Sequence, residues 1–223
     1  MTELGKYFPF WDKLIPAQRE TLTASAAARH FEKGALIHGG ASDCVGFILV
    51  VSGRLRVYTL SDEGRELTLY RLFARDMCLF SASCVMRNIQ FDVMVSAEED
   101  SDVLIIPADT YKRLMDESAA VANYTNDLTA SHFSDVMWLM DQILNKKLDS
   151  RLSAFLLEES ELAGSSVLSI THEQIAGNLG TIREVVTRML KYFQDEGLVK
   201  LGRGSITLLS PDRLEEMAKE SLR

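Results

Sequence analysis

Residues 171–188 read Thr-His-Glu-Gln-Ile-Ala-Gly-Asn-Leu-Gly-Thr-Ile-Arg-Glu-Val-Val-Thr-Arg, and they decide the architecture of the C-terminal third of the chain. Thr171 stands where a helix N-cap belongs, and Gln174 three residues on completes a capping box in front of the apolar residues Ile175, Ala176 and Leu179. Gly180 suits the tight turn that ends this helix. Thr181 then supplies a cap for a second helix, predicted over residues 182–196 and ended by Gly197. Two capped helices joined by so short a turn are the spacing of a helix-turn-helix.

The second helix divides into two faces. Val186, Met189, Leu190 and Phe193 form an inward stripe, while Arg183, Glu184, Thr187 and Arg188 fall within the first two turns on the other side. A helix that reads a duplex needs this division, with apolar residues fixing it and N-terminal polar residues reaching base edges. Arginine can donate two parallel hydrogen bonds to guanine O6 and N7, and glutamate can accept from cytosine N4. Lys191, further along, suits a phosphate. Beyond Gly197, residues 198–200 and 205–208 read as two short strands around Gly202-Arg203-Gly204, a ribbon with the basic tip Arg203.

Upstream, residues 167–170 read as a short strand and residues 148–161 as an amphipathic helix carrying Leu152, Phe155 and Leu156. Residues 118–145 contain neither glycine nor proline. Val121, Tyr124, Leu128, Val136, Leu139 and Ile143 recur there at helical spacing, which predicts one long helix. Its second half, with Phe133, Val136, Met137, Trp138, Leu139 and Met140, is apolar on more than one face, so it has two surfaces to bury: its own domain and a second copy of itself. Before it, a helix around residues 16–28 precedes short alternating segments. Residues 47–51, 55–59 and 67–72 read as strands separated by a turn at 52–54 and a loop at 61–65, with further strands at 92–96 and 103–106. Such closely spaced antiparallel strands make a small barrel or sandwich.

In a chain of 223 residues, 47% hydrophobic and 25% charged residues exclude disordered and low-complexity classes, and the length suits two small domains. The longest apolar run, residues 45–51, falls far short of the roughly 20 residues of a membrane-spanning helix. The N-terminus lacks the basic-then-apolar pattern of a signal peptide, so a cytoplasmic location with no membrane partner is expected. Cys44, Cys78 and Cys84 are odd in number and contain no CxxC pair, which leads one to expect reduced thiols and no metal site. The net charge of −8 would count against a phosphate-rich partner if it were evenly spread. Between residues 169 and 206, however, five basic residues face four acidic ones, a local +1 that leaves −9 for the remainder.

The Gly53 turn, the Asp-Glu-Gly-Arg-Glu loop at 62–66, the long helix and the 171–188 motif together resemble the Crp/Fnr superfamily of bacterial transcription regulators. The resemblance covers nearly the whole chain. It implies an α+β fold with an N-terminal antiparallel β-roll (a double-stranded β-helix of the cyclic-nucleotide-binding type) over 1–117, a dimerisation helix over 118–145 and a winged helix-turn-helix over 146–223. It also implies a homodimer that reads a palindromic DNA operator, with RNA polymerase among the partners open to it. Carried onto this chain, the reading motif falls on Arg183, Glu184 and Arg188. Thr187 takes the small or hydroxyl-bearing place before the last arginine, and Thr171 and His172 lie at the phosphate-facing start of the first helix. The dimer seam is expected at Val121, Leu128, His132, Val136, Leu139 and Ile143, and an effector pocket at Leu79, Phe80, Phe91, Asp92, Tyr124 and Leu128. The rival reading is a small-molecule-binding or enzymatic β-roll whose helical tail only mediates association. No acid/base pair, nucleophile triad or phosphate loop supports an enzyme.

Two departures from the family bear on the signal. Cyclic-nucleotide-responsive relatives hold the ribose with Gly-Glu and the phosphate with Arg followed by Ser or Thr. Here Leu79-Phe80 and Phe91-Asp92 stand in those places, so cyclic AMP and cyclic GMP are not expected as effectors. Relatives that carry an iron-sulfur cluster hold it with N-terminal cysteines, and this chain has none before Cys44. Haem, a gas, a thiol-redox signal and another small molecule remain as candidates, with Cys78, Cys84 and His132 the residue types such chemistry would use. A buried cyclic phosphate needs a cationic fork or several N–H donors around it. Calorimetric titration with either cyclic nucleotide is therefore expected to give no heat of binding at micromolar concentration, and micromolar or tighter binding would contradict this reading.

Overall fold

A computed structural model describes residues 3–40, 44–82 and 92–222. Contacts divide the chain into two units, Met1–Leu60 with Leu69–Val136 and Ser61–Thr68 with Met137–Arg223, so that the division runs through the long helix.

In the first unit, helix α1 (Pro16–Ser25) starts with a proline at its first turn, and Gln18 accepts a hydrogen bond from the Ile15 amide at 3.2 Å. Eight strands follow among the described residues: β1 (Ala27–Phe31), β2 (Leu36–Gly39), β3 (Phe47–Ser52), β4 (Leu55–Leu60), β5 (Glu66–Leu72), β6 (Met77–Cys78), β7 (Met94–Ala97) and β8 (Ser101–Ile106). They form two four-stranded sheets in the orders β1-β8-β3-β6 and β2-β7-β4-β5, and the expected β-roll is present. Helices α2 (Ala108–Glu117) and α3 (Ala119–Asn145) follow, and α3, like β5, runs across the division between the units.

The apolar run at 45–51 is explained by strand β3, which is covered on both faces. Ile48 and Val50 point into the roll with Leu55, Val57, Leu72, Cys78 and Val95. Phe47 and Leu49 point the other way, into a cluster with Leu22, Met77, Leu79, Tyr111, Leu114 and Val121. Two-sided burial demands a continuous apolar strand where a half-exposed one would alternate. Each of these fully buried side chains contributes about 1.5–3 kcal/mol. At the β3–β4 turn Gly53 adopts φ +85°, and a Cβ there would lie 2.5 Å from the Asp100 carbonyl oxygen, so no other residue fits without moving backbone.

Several expectations need correction. Helix α1 stops at Ser25 rather than near 28, because Ala27–Phe31 pair antiparallel with β8, an interaction local sequence does not reveal. The strand expected at 92–96 begins at Met94, and the one expected at 103–106 begins at Ser101. Strands β1, β2 and β6 escaped the sequence pattern because β1 is mostly exposed and the others are four and two residues long. The cysteines are not all reduced: Cys44 is disulfide-bonded, while Cys78 is free. Burial pushes the Cys78 thiol pKa up. A single bridge depends on spatial approach, which spacing along the chain does not show. Cys84 and Phe91 lie outside the described residues.

Helix α3 is a single helix of 27 residues, as the spacing predicts. Val121 is fully buried and His132 is 7% exposed, and both turn toward the chain's own strands, with Leu128 at the edge of the same cluster. Leu139 is buried, Val136 half-buried and Ile143 exposed. The apolar surface left open is Phe133 (66% exposed), Met137, Trp138, Met140, Ile143 and Leu144. A seam formed on this exposed apolar surface would leave out Val121 and His132, which are covered within the chain. A charge at Phe133 would have to be desolvated without a partner in such a seam. Phe133→Glu is therefore expected to raise the dimer dissociation constant at least about tenfold in sedimentation experiments while leaving the thermal melt of the chain intact.

Candidate nucleic-acid interface

The second unit is built from α4 (Leu148–Ala163), β9 (Val167–Leu168), α5 (His172–Leu179), α6 (Arg183–Asp195), β10 (Val199–Gly202), β11 (Ser205–Leu208) and α7 (Pro211–Ala218). The strands form one sheet, β10-β11-β9, and the α6–β10–β11 arrangement is a helix followed by a wing. One core joins them: Leu152, Leu156, Ile175, Val186, Leu190, Phe193, Leu198, Ile206 and Leu214 are all nearly or fully buried. Met189, expected inward, packs at the margin of this core.

The capping box forms as read. The Gln174 amide donates to Thr171 Oγ1 at 3.1 Å, and the Thr171 amide donates to Gln174 Oε1 at 2.9 Å. Gly180 ends α5 in the left-handed region at φ +63°. Thr181, however, does not cap α6. Its amide donates back to the Ala176 carbonyl at 3.0 Å, closing the end of α5, and Ile182 takes the N-cap place with no side-chain cap bond. The Schellman closure consumes the residue after glycine, so α6 begins one residue later than expected.

The turn is also braced from outside. Arg151, on α4, donates through its guanidinium to the Leu179 carbonyl, one of the acceptors that a helix C-terminus leaves unpaired. Burial lowers the Arg151 pKa, though not enough for an arginine to lose its charge. Thr68 donates to Asn178 Oδ1 at 2.8 Å, and Leu67 lies against Gly180. Sequence reading missed Arg151 because a lone arginine on an amphipathic helix carries no local signal. At the far end of α6, Gln194 accepts from the Leu201 amide at 3.0 Å and ties the helix to the wing.

With the backbone so fixed, Arg183, Glu184, Thr187, Arg188 and Lys191 are all exposed on α6, as are Thr171 at the start of α5 and Arg203 at the wing tip; Thr181 is half-exposed. The starts of α5 and α6 and the wing enclose an open groove of about 460 Å³, lined by Thr171, His172, Glu173, Arg183, Gly202, Gly204 and Ser205 among others. His172, half-buried, approaches Thr187 Oγ1 through Nδ1 at 2.9 Å, and Thr187 Oγ1 donates to the Arg183 carbonyl at 2.8 Å. Burial, and then the nearby Arg183 charge, lower the His172 pKa, so its ring is neutral at pH 7.

Residues 150–217 match the Crp-like helix-turn-helix domain, and residues 28–118 match the cyclic nucleotide-binding domain. A transcriptional regulator of the Crp/Fnr family from Eubacterium rectale ATCC 33656, known from its crystal structure, is 57% identical, covers 96% of this chain and 99% of its own, and superposes with a TM-score of 0.94. The chain belongs to the Crp/Fnr family. Two more distant relatives are both from Thermus thermophilus. The cyclic AMP receptor protein is 25% identical over 94% of this chain and 96% of its own, and the transcriptional regulator SdrP is 28% identical over 76% and 82%. As a Crp/Fnr member the protein is a DNA-binding transcription regulator, and dimer formation goes with the family. Its relatives are regulators, and no helix among the described residues is long and apolar enough to cross a membrane.

On the sensor side, five of the six expected pocket residues are described, and they fall in different parts of the unit. Leu79, Tyr124 and Leu128 belong to the cluster outside the roll, where Tyr124 meets Phe10 edge-on at 5.2 Å. Phe80 packs on the roll interior, 6.3 Å from Tyr70, and Asp92 is exposed. A cluster that sequence reading did not anticipate lies near Phe80. His132 stacks on Tyr70 at 4.3 Å, its Nε2 is 3.4 Å from the Met77 carbonyl oxygen, and its Nδ1 is 3.7 Å from Asp135. The Tyr70 hydroxyl is buried without a hydrogen-bond partner among the described residues, and burial pushes its pKa well up. Among the described residues, no three of His, Cys, Asp and Glu gather as a metal site.

Removing the Arg151 brace leaves a buried carbonyl without its charged donor. Arg151→Met is expected to destabilise the second unit by about 1.5–3 kcal/mol, read as a lower urea midpoint with unchanged slope.

Proposed function

We propose that this Crp/Fnr regulator acts as a homodimer on a two-fold symmetric operator, with α6 in the major groove, Arg183, Glu184, Thr187 and Arg188 on base edges, and Thr171, His172, Thr181, Lys191 and Arg203 toward the backbone. The observation that carries this reading is the grouping of Arg183, Glu184, Thr187 and Arg188 as exposed side chains on the first two turns of a helix whose opposite face is locked by Val186, Leu190 and Phe193. The acidic remainder of the chain keeps non-specific attraction to DNA low, so specificity rests on these few contacts. A signal received in the β-roll, of a chemistry other than a cyclic nucleotide, controls the placement of the two winged helices through α3. The protein is not an enzyme. It works in the cytoplasm, with RNA polymerase as a further partner.

Half-sites are expected about one helical turn apart, centre to centre, a spacing for which a member of this family is a standard example. Arg183→Ala or Arg188→Ala should cost about 1–3 kcal/mol on the operator and little on random duplex. Lys191→Ala should weaken both alike and lower the salt slope by about one unit. Gel-shift titrations at two or more salt concentrations read all three. A footprint over one unrepeated half-site would count against the dimeric reading.

A further inference from the structure

Thr187 is the one member of the reading face whose polar atom is already engaged within the protein by two partners. The Arg183 carbonyl can only accept, so at 2.8 Å it takes the proton of the Thr187 hydroxyl. His172 Nδ1, 2.9 Å from the same oxygen, must then carry a hydrogen and donate it. This assignment satisfies both contacts at once. It leaves Thr187 with no proton to give to guanine O6 or N7 or to thymine O4, and with only a single lone pair toward the groove. What remains unengaged is the γ-methyl group. Among the major-groove edges of the four bases, only thymine presents a methyl to meet it.

We propose that Thr187 reads thymine through methyl–methyl contact, with His172 as the positioning residue that holds its hydroxyl away from the base. The assignment rests on the reading of α6 as the recognition helix and adds the identity of one base to it. The His172 ring, neutral because burial and the Arg183 charge lower its pKa, keeps Nε2 as an acceptor, so it serves this bond without placing a second cation beside Arg183.

The test uses the full-length protein and operators selected from a random duplex pool. Each thymine of one half-site is replaced in turn by deoxyuridine, which removes only the methyl. One replacement is expected to weaken wild-type binding about three- to five-fold, the worth of one buried methyl. Thr187→Val keeps a methyl and cannot hydrogen-bond, so it should keep the deoxyuridine penalty. Thr187→Ser keeps the hydroxyl and loses the methyl. It should show the weaker affinity on both operators, with no further loss on the modified one. His172→Ala removes one of the two partners that hold the hydroxyl and should shrink the ratio between thymine and deoxyuridine operators, a readout that general weakening does not change.

Indifference to deoxyuridine at every thymine would overturn the proposal, and this result needs no variant to fold. So would a larger loss with Val than with Ser, or a selected adenine or cytosine whose preference disappears in Thr187→Val, because the hydroxyl would then be the reader. Failure of the pool to yield any symmetric sequence would instead remove the reading of α6 itself, and this assignment with it.

Discussion

Helix α6 has a fixed direction only because Val186, Leu190 and Phe193 are driven into the core beneath it, where they meet Ile175 of α5, Leu198, and Ile206 of the wing. This burial is non-directional by itself. It becomes specific through the polar contacts at its edges: the capping box at Thr171, the closure at Gly180 and Thr181, the Arg151 brace on Leu179 and the Gln194 link to the wing. Each is worth of order one kcal/mol or somewhat more, and together they choose one arrangement among the many that an apolar stripe alone would permit. The exposed side chains of α6 inherit their geometry from this frame.

The first unit solves a different problem with the same means. Strand β3 of sheet β1-β8-β3-β6 is covered on both faces, and it supplies side chains to the interior of the roll and to the helical layer. One strand thus joins the roll interior to the layer that contains Val121 of α3. The Tyr70–His132 stack lies along the same route, with Cys78 nearby as an electrostatic neighbour of Tyr70. A buried hydroxyl such as that of Tyr70, without a hydrogen-bond partner among the described residues, is costly.

At the interface, the chemistry of the residues differs from what composition suggests. A net charge of −8 disfavours a polyanionic partner, yet residues 169–206 carry five basic residues against four acidic ones, and Arg183, Arg188 and Arg203 are exposed. The position of Glu184 among arginines fits a role as an acceptor rather than a repulsive intrusion. Thr187 shows the limit of reading a residue by its type. A threonine offers donor, acceptor and methyl, and its neighbours decide which of the three is left for a partner.

By itself the sequence determined the helix-turn-helix, the wing, the long helix and the presence of the roll. Each rests on a local signal: a capping box, a glycine in a turn, a 3.6-residue or two-residue period, or a family motif. Tertiary structure decided what local signals cannot carry. It ended α1 early by pairing residues 27–31 with β8, moved the start of α6 from 182 to 183, paired Cys44 in a disulfide, and turned Val121 and His132 toward the chain's own strands, leaving Phe133, Met137 and Leu144 exposed. It also placed Arg151 under the turn and His172 against Thr187, contacts between residues 28 and 15 positions apart. The physical reason is common to all of them: a period reveals which face of an element is apolar, but only the packing of elements against one another decides which neighbour that face meets.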